Sequence, residues 1–239
     1  MFQEYASQIQ ASTKLYLGYD LSDKQIQDLS LFGDLLLDWN QKLNLTRILD
    51  PQEIILKHFI DSMVLASYIQ GTKFVDLGTG AGFPGIPLKI LRPDLKVFLV
   101  DSLKKRLDFI DIVISRLGLK ETRTIHSRAE DFGRDHHYRG QFDTVTCRAV
   151  ARLPVLVEFA LPVLKVNGLF LSPKGLQAQE ELDESIAALN LLGGKVESLQ
   201  RYSLGESAEH RAIISIRKIK ETPPAYPRKA GIPAKHPLL

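Results

Sequence analysis

Lys73-Phe74-Val75-Asp76-Leu77-Gly78-Thr79-Gly80-Ala81-Gly82-Phe83-Pro84-Gly85-Ile86-Pro87-Leu88 decides the reading of this chain. An apolar, β-branched strand breaks into glycines and resumes as a helix. That junction presents backbone N–H groups, unobstructed by side chains, to a ligand at a helix N-terminus. The next strand, Lys96-Val97-Phe98-Leu99-Val100-Asp101, ends in a carboxylate. About 20 residues separate the glycines from Asp101, the spacing at which a βαβ unit places an acid against ribose hydroxyls. The ligand is therefore expected to be nucleotide-like.

Two glycine registers compete. Gly78-x-Gly80-x-Gly82, with Asp76 inside the preceding strand, suits S-adenosylmethionine. Gly80-x-Gly82-x-x-Gly85 formally matches a dinucleotide fingerprint, but it starts beyond the strand end and places Pro84 where a pyrophosphate needs free N–H groups. The first register is preferred. A nicotinamide-dependent oxidoreductase and a non-catalytic RNA-binding protein on the same fold remain as alternatives.

Working outward, strands at 73–77, 96–101, 122–126, 142–147 and 168–172 alternate with helical patterns near 85–92, 103–117, 153–164 and 176–191. Runs at 195–203 and 210–219 follow without a long helix between them. The pattern predicts an α/β fold with a doubly wound, mostly parallel seven-stranded sheet that closes in an antiparallel C-terminal hairpin. Residues 1–70 read as a helical N-terminal extension packed on the core, with Asp50-Pro51 and Glu53 as a helix-start signal. Residues 71–220 form the catalytic domain and 221–239 a basic, proline-rich tail.

Composition bounds the class. The chain has 239 residues, 44% of them hydrophobic and 25% charged, enough for a sizeable core. Cys147, the one cysteine, excludes an internal disulfide, and no cluster has zinc-ligand spacing. His136 and His137 carry no metal signature. With no signal sequence and no membrane-length apolar run, a cytoplasmic location is expected. Charge is unevenly spread. Residues 1–70 hold five Lys/Arg against nine Asp/Glu, whereas residues 217–239 hold six Lys/Arg against Glu221. Such a tail suits a phosphate-rich partner.

Several segments together resemble the RsmG/GidB family of bacterial 16S rRNA (guanine-N7) methyltransferases, a class I Rossmann-like group. They are Trp39 to Thr46, His58-Phe59-Ile60-Asp61-Ser62, Val75 to Leu88, Ala129-Glu130, Phe142-Asp143 through Cys147-Arg148-Ala149, Lys174-Gly175, and Tyr226-Pro227-Arg228-Lys229-Ala230-Gly231-Ile232-Pro233-Ala234-Lys235-His236-Pro237-Leu238. They run in order along nearly the whole chain. Met63 stands where an aliphatic such as Leu or Ile is expected, and Ser172-Pro173 where apolar residues are.

The resemblance implies methylation of one guanine at N7 in 16S rRNA, with the small subunit or an assembly intermediate as partner and a monomeric, cytoplasmic enzyme. N7 presents a lone pair and loses no proton, so no catalytic acid or base is required. Gly78, Gly80 and Gly82 would admit the methionine part of the donor, with Phe83 beside it and Asp76 near its ammonium. Asp101 would take the ribose, Ser102 and Leu103 would line the adenine pocket, and the resemblance adds Ala129 and Glu130 as adenine contacts. Arg148 would hold the donor carboxylate or an RNA phosphate near the transfer site. Lys174, Arg201, Arg228, Lys229 and Lys235 would position the RNA backbone. Asn40, Lys42 and Asn44 form a polar cluster after Trp39, which is expected to plug the core between the helical head and the sheet. His58 and Asp61, three residues apart, read as a helix-packing pair or an RNA contact. No metal site is expected.

Overall fold

The structure, a computed structural model, describes residues 1–205 and 209–239. Helices α1 (Ala6–Leu17), α2 (Asp23–Leu43), α3 (Pro51–Ile54) and α4 (Asp61–Met63) precede the sheet. Ser22 opens α2 with a capping box: its hydroxyl accepts from the Gln25 N–H while the Gln25 side chain accepts from the Ser22 N–H. Asp50 caps α3 through the Glu53 N–H at 3.0 Å, with Pro51 at the first helical position. Between α3 and α4 the turns widen to a π-helix over Ile55–Ile60.

From there strands and helices alternate: β1 (Lys73–Leu77), α5 (Gly85–Leu91), β2 (Lys96–Asp101), α6 (Lys104–Leu117), β3 (Thr122–His126), α7 (Ala129–Arg134), β4 (Phe142–Thr146), α8 (Leu153–Ala160), β5 (Leu164–Lys174), α9 (Ala178–Glu184), α10 (Ile186–Leu192), β6 (Gly194–Leu204), β7 (Glu209–Lys218) and α11 (Ile232–Lys235). The sheet order is β3-β2-β1-β4-β5-β7-β6. β1 runs parallel to both β2 and β4, and β7 lies antiparallel between β5 and β6. The chain thus winds one way from β1 to β3 and the other way from β4 onward. The crevice outside the carboxyl ends of β1 and β4 is the switch point, where such sheets hold ligands.

Several elements differ from their sequence reading: α7 has no counterpart in it, and α8 ends at Ala160 where the pattern runs to 164. β5 begins at Leu164 instead of 168, because Leu164 pairs with Phe142 before the ladder resumes at Leu169 and Thr144. The helix expected over 176–191 divides at Ser185, whose hydroxyl donates to the Glu181 carbonyl at 2.6 Å and competes with the helical ladder.

Each face of the sheet is covered. One core joins the N-terminal helices to α5 and α6: Phe32 lies 5.9 Å from Phe59, 5.0 Å from Phe83 and 6.5 Å from Phe109, ring centre to ring centre. Burial of each such ring stabilises the fold by about 1.5–3 kcal/mol. This aromatic cluster ties the N-terminal helices to the wall of the glycine turn through Phe83. Trp39 packs half-buried on Phe109 at the edge of that core. The other core lies beneath α7, α8, α9 and α10.

Candidate active site

The glycine turn is anchored to its neighbour strand, since the Gly78 and Thr79 N–H groups both donate to the Val100 carbonyl, at 2.8 and 3.0 Å. Gly78 and Gly80 hold φ of +74° and +60°, which favour glycine. A Cβ on Gly78 would meet Val150 Cγ2 at 2.4 Å, whereas one on Gly80 would point into open space. That open space is a cavity of about 540 Å³, within the range of small-molecule sites. Its wall includes Gly78, Thr79, Gly80, Phe83, Asp101, Ser102, Ala129, Glu130 and Arg148.

Asp101, at the β2 tip, is 4% exposed. One carboxylate oxygen accepts from the Gly80 N–H at 2.9 Å and lies 3.4 Å from an Arg106 guanidinium nitrogen; the other accepts from the Leu103 N–H at 2.8 Å. The two strand-tip segments are thereby locked together, and the carboxylate still borders the cavity with unfilled lone pairs.

Asp76 sits behind the turn, fully buried. Its Oδ2 accepts from the Thr79 hydroxyl at 2.7 Å and the Gly85 N–H at 3.0 Å, and its Oδ1 has no hydrogen-bond partner among the described residues. Burial raises its pKa to about 6, against the lowering effect of those two bonds. Off the cavity wall, the carboxylate braces the glycine turn from behind.

His58, on the opposite wall, stacks on Phe83 at 4.6 Å and places Nε2 2.9 Å from the Thr46 hydroxyl. Its pKa falls to about 3, first through burial and then through the Arg148 charge. Arg148 lies with its guanidinium 5.4 Å from the Phe83 ring and 3.1 Å from Asp61 Oδ2, and Asp61 Oδ1 accepts from the Tyr202 hydroxyl at 2.9 Å. The π-helical turn at Ile55–Ile60 separates His58 from Asp61: each turns to a partner from elsewhere in the chain. They do not pair with each other as the sequence reading allowed.

Asp76 and His58 have opposite effects on stability as pH changes. Folded Asp76 keeps its proton to about 6 against an ordinary 3.8, so between those values the native state is the better proton binder and stability falls as pH rises. Folded His58 stays neutral to about 3 against an ordinary 6.5, so the unfolded chain binds that proton first and stability falls as pH drops through this window. Asp76→Asn is expected to remove the first slope, up to about 3 kcal/mol, and His58→Gln to flatten the second. Urea unfolding of both variants from pH 4 to 7 checks this, and parallel curves for wild type and variants would contradict it.

A family model described as rRNA small subunit methyltransferase G matches residues 25–213. A protein of Desulfitobacterium hafniense (strain Y51), named ribosomal RNA small subunit methyltransferase G, is 56% identical over 239 residues, all of both chains. The chain belongs to the rRNA small subunit methyltransferase G family. A relative of the same name from Lactococcus lactis subsp. lactis (strain IL1403) is 49% identical over 91% of this chain and 93% of its own. In fold, the chain is similar to a SAM-dependent methyltransferase of Aquifex aeolicus, with a TM-score of 0.56 and 18% identity over 77% of this chain and 98% of that one.

Within this methyltransferase both glycine registers spend N–H groups internally, Gly78 on the Val100 carbonyl and Gly80 on Asp101 in the first. The Gly82 and Phe83 N–H groups donate to the Thr79 carbonyl and the Gly85 N–H to Asp76. Asp76, Gly82 and Leu103 lie off the cavity wall; Asp76 is fully buried and Leu103 is 42% exposed. The structure adds Thr46, His58, Thr79, Arg106, Ser127, Arg128 and Ala234 to that wall. Ser127 and Arg128, directly before Ala129, were within reach of the sequence; Thr46 and Ala234 come from distant segments that carry the family resemblance but no cofactor-binding pattern.

The cations assigned to RNA divide. Arg201, Lys229 and Lys235 are exposed. Lys174 is instead half-buried, 2.7 Å from Glu181 Oε2 and donating to the Ala151 carbonyl. Arg228 is a second correction: its guanidinium and backbone N–H all donate to Glu158, whose side chain is 1% exposed. The tail does not hang in solvent either. Arg139 holds the Thr222, Pro223 and Tyr226 carbonyls, and the Gly231 N–H donates to Glu130 at 2.8 Å.

Asn40 likewise turns inward, where its amide brackets the backbone N–H and carbonyl of Thr46. Cys147 is buried against the Leu77 carbonyl, and burial pushes its pKa up, so it is a poor nucleophile. The consecutive Asp135, His136 and His137 bring ligand atoms within 4.8 Å of one another outside the cavity wall.

Proposed function

We propose that this methyltransferase moves the methyl group of S-adenosylmethionine to N7 of a specific guanine in 16S rRNA, by in-line transfer without a general base. The donor supplies an electrophilic sulfonium methyl. Asp101 holds its ribose end, Ser102, Ala129 and Glu130 its adenine, and the turn of Gly78 and Gly80 its amino-acid part, with Asp76 bracing that turn from behind. The partner is 16S rRNA in the small ribosomal subunit or an assembly intermediate. A single chain carries the whole cavity, which suits a monomer. No helix among the described residues is long and apolar enough to cross a membrane, and a cytoplasmic site of action fits an rRNA substrate.

The observation that carries the mechanism is the character of the wall on the β4 side of the switch point. His58 is a weak base pinned to Thr46, Cys147 is sealed beneath Leu77, and Arg148 carries no lone pair to accept a proton. Asp101 and Glu130 stand on the β2 side and are bonded to backbone N–H groups. An acceptor that surrenders no proton matches this wall, and alignment alone supplies up to about 7–11 kcal/mol of the barrier. Replacing guanosine by 7-deazaguanosine in the rRNA is expected to abolish transfer, and the single-turnover rate on normal rRNA is expected to stay level from pH 6.5 to 9. Methyl incorporation into the 7-deaza RNA, or a rate rising tenfold per pH unit, would contradict the assignment.

A further inference from the structure

A smaller cavity of about 250 Å³ adjoins the first, and Arg148, Ala149 and Ala151 line both. Its remaining wall is polar and assembled from five separate elements, with Asp61, Lys174, Glu181, Tyr202 and Arg211 among its residues. The charged groups are fixed before any ligand arrives. Asp61 is 4% exposed and bonded to Arg148 and Tyr202, with Arg211 Nε 3.9 Å away, while Lys174 is paired with Glu181.

We propose that this second cavity receives the target base, flipped out of the RNA, and that the Arg148–Asp61 pair selects guanine over adenine there. This rests on the methyl-transfer reading above. An atom about to accept the methyl must stand at the wall the two cavities share. With guanine N7 at that wall, the neighbouring groups along the base edge are O6 and then N1–H. Arg148 borders both cavities and offers a hydrogen-bond donor next to O6. Asp61 borders only the smaller one, 3.1 Å from Arg148, and offers an acceptor for N1–H. Donor followed by acceptor complements guanine in the order the geometry imposes.

Adenine inverts both positions. Its N6 amine would face the guanidinium and its bare N1 would face the carboxylate, so that donor meets donor and acceptor meets acceptor. The Tyr202 hydroxyl, donating to Asp61 Oδ1, keeps the carboxylate from rotating away from that edge. The exocyclic N2 amine has no part in this discrimination.

The test uses the full chain with small ribosomal subunits reconstituted around 16S rRNA in which the methylated guanosine is replaced by inosine or by 2-aminopurine. Inosine keeps N7, O6 and N1–H; 2-aminopurine keeps N7 and the N2 amine but lacks O6 and N1–H. Inosine is expected to be methylated within about threefold of guanosine, and 2-aminopurine at least about 100-fold more slowly. Asp61→Asn is expected to shrink that ratio below about tenfold while S-adenosylhomocysteine affinity stays unchanged. Inosine falling as far as 2-aminopurine would move selection to the N2 amine and overturn the proposal. Equal rates on all three bases would also overturn it, marking the cavity as a reader of RNA backbone, and so would an unchanged ratio in Asp61→Asn. Failure to methylate the guanosine control would instead count against the methyl-transfer reading itself.

Discussion

Asp101→Ala is expected to weaken S-adenosylhomocysteine binding by more than about 100-fold, equivalent to about 2.7 kcal/mol, and to leave RNA affinity within about twofold of wild type. Two effects combine. The ribose loses hydrogen bonds to a carboxylate, each contributing about 1.5–3 kcal/mol. The Gly80 and Leu103 N–H groups also lose their acceptor, so the glycine turn is no longer held to the β2 tip in its binding shape. The second effect carries a stability loss of about 1–3 kcal/mol, so donor titration must be done well below the variant's melting temperature. Asp101→Asn separates the two, since its amide oxygen still accepts one of the two backbone N–H bonds. Calorimetric titration with S-adenosylhomocysteine and fluorescence anisotropy with rRNA provide the readouts. Equal loss of donor and RNA binding would contradict separate sites.

Arg228→Ala is expected to lower unfolding free energy by about 3–5 kcal/mol, because it leaves the Glu158 carboxylate buried without its cation. Paired apolar replacement, Glu158→Leu with Arg228→Leu, is expected to recover most of that loss, since a buried ion pair is poor evidence of net stabilisation. Lys229→Ala with Lys235→Ala is expected to behave in the opposite way. Both side chains are exposed, so stability changes little, while the dependence of RNA affinity on salt is expected to flatten by about 1.5 in log–log slope. Denaturant melts and a salt series on the three proteins decide the matter. An Arg228→Ala protein as stable as wild type, with a reduced salt slope, would return Arg228 to the RNA-contacting set.

The part of the cavity wall built by the glycine turn and the β2 tip was legible because it is local. Strand, glycine turn, helix start and the acid at the next strand tip follow one another within about 30 residues, and each answers to backbone geometry. The sheet was legible for the same reason, as its alternation of short apolar runs and helical patterns reports burial directly. The acceptor side was not. Arg148 meets Asp61 across 87 residues, Tyr202 meets it across 141, and Arg228 meets Glu158 across 70. Charge alone cannot show whether an arginine faces solvent, RNA or a distant carboxylate. One signal was available: Glu158 interrupts the apolar run Leu153-Pro154-Val155-Leu156-Val157, and a lone acid in a buried helix requires a cation. The His58–Asp61 spacing misled because a π-helical turn replaces the expected α-helical one. No residue pattern in Ile55–Ile60 announces that widening.

The most direct test of the account is transfer of labelled methyl from S-adenosylmethionine to small ribosomal subunits that lack their native modifications, followed by nucleoside mass analysis of the 16S rRNA. A single 7-methylguanosine is the expected product. Label in any other nucleoside would contradict the N7 assignment and the guanine-selecting pair, and no label in subunits, free rRNA or assembly intermediates, from a protein that binds S-adenosylhomocysteine, would contradict the proposed reaction.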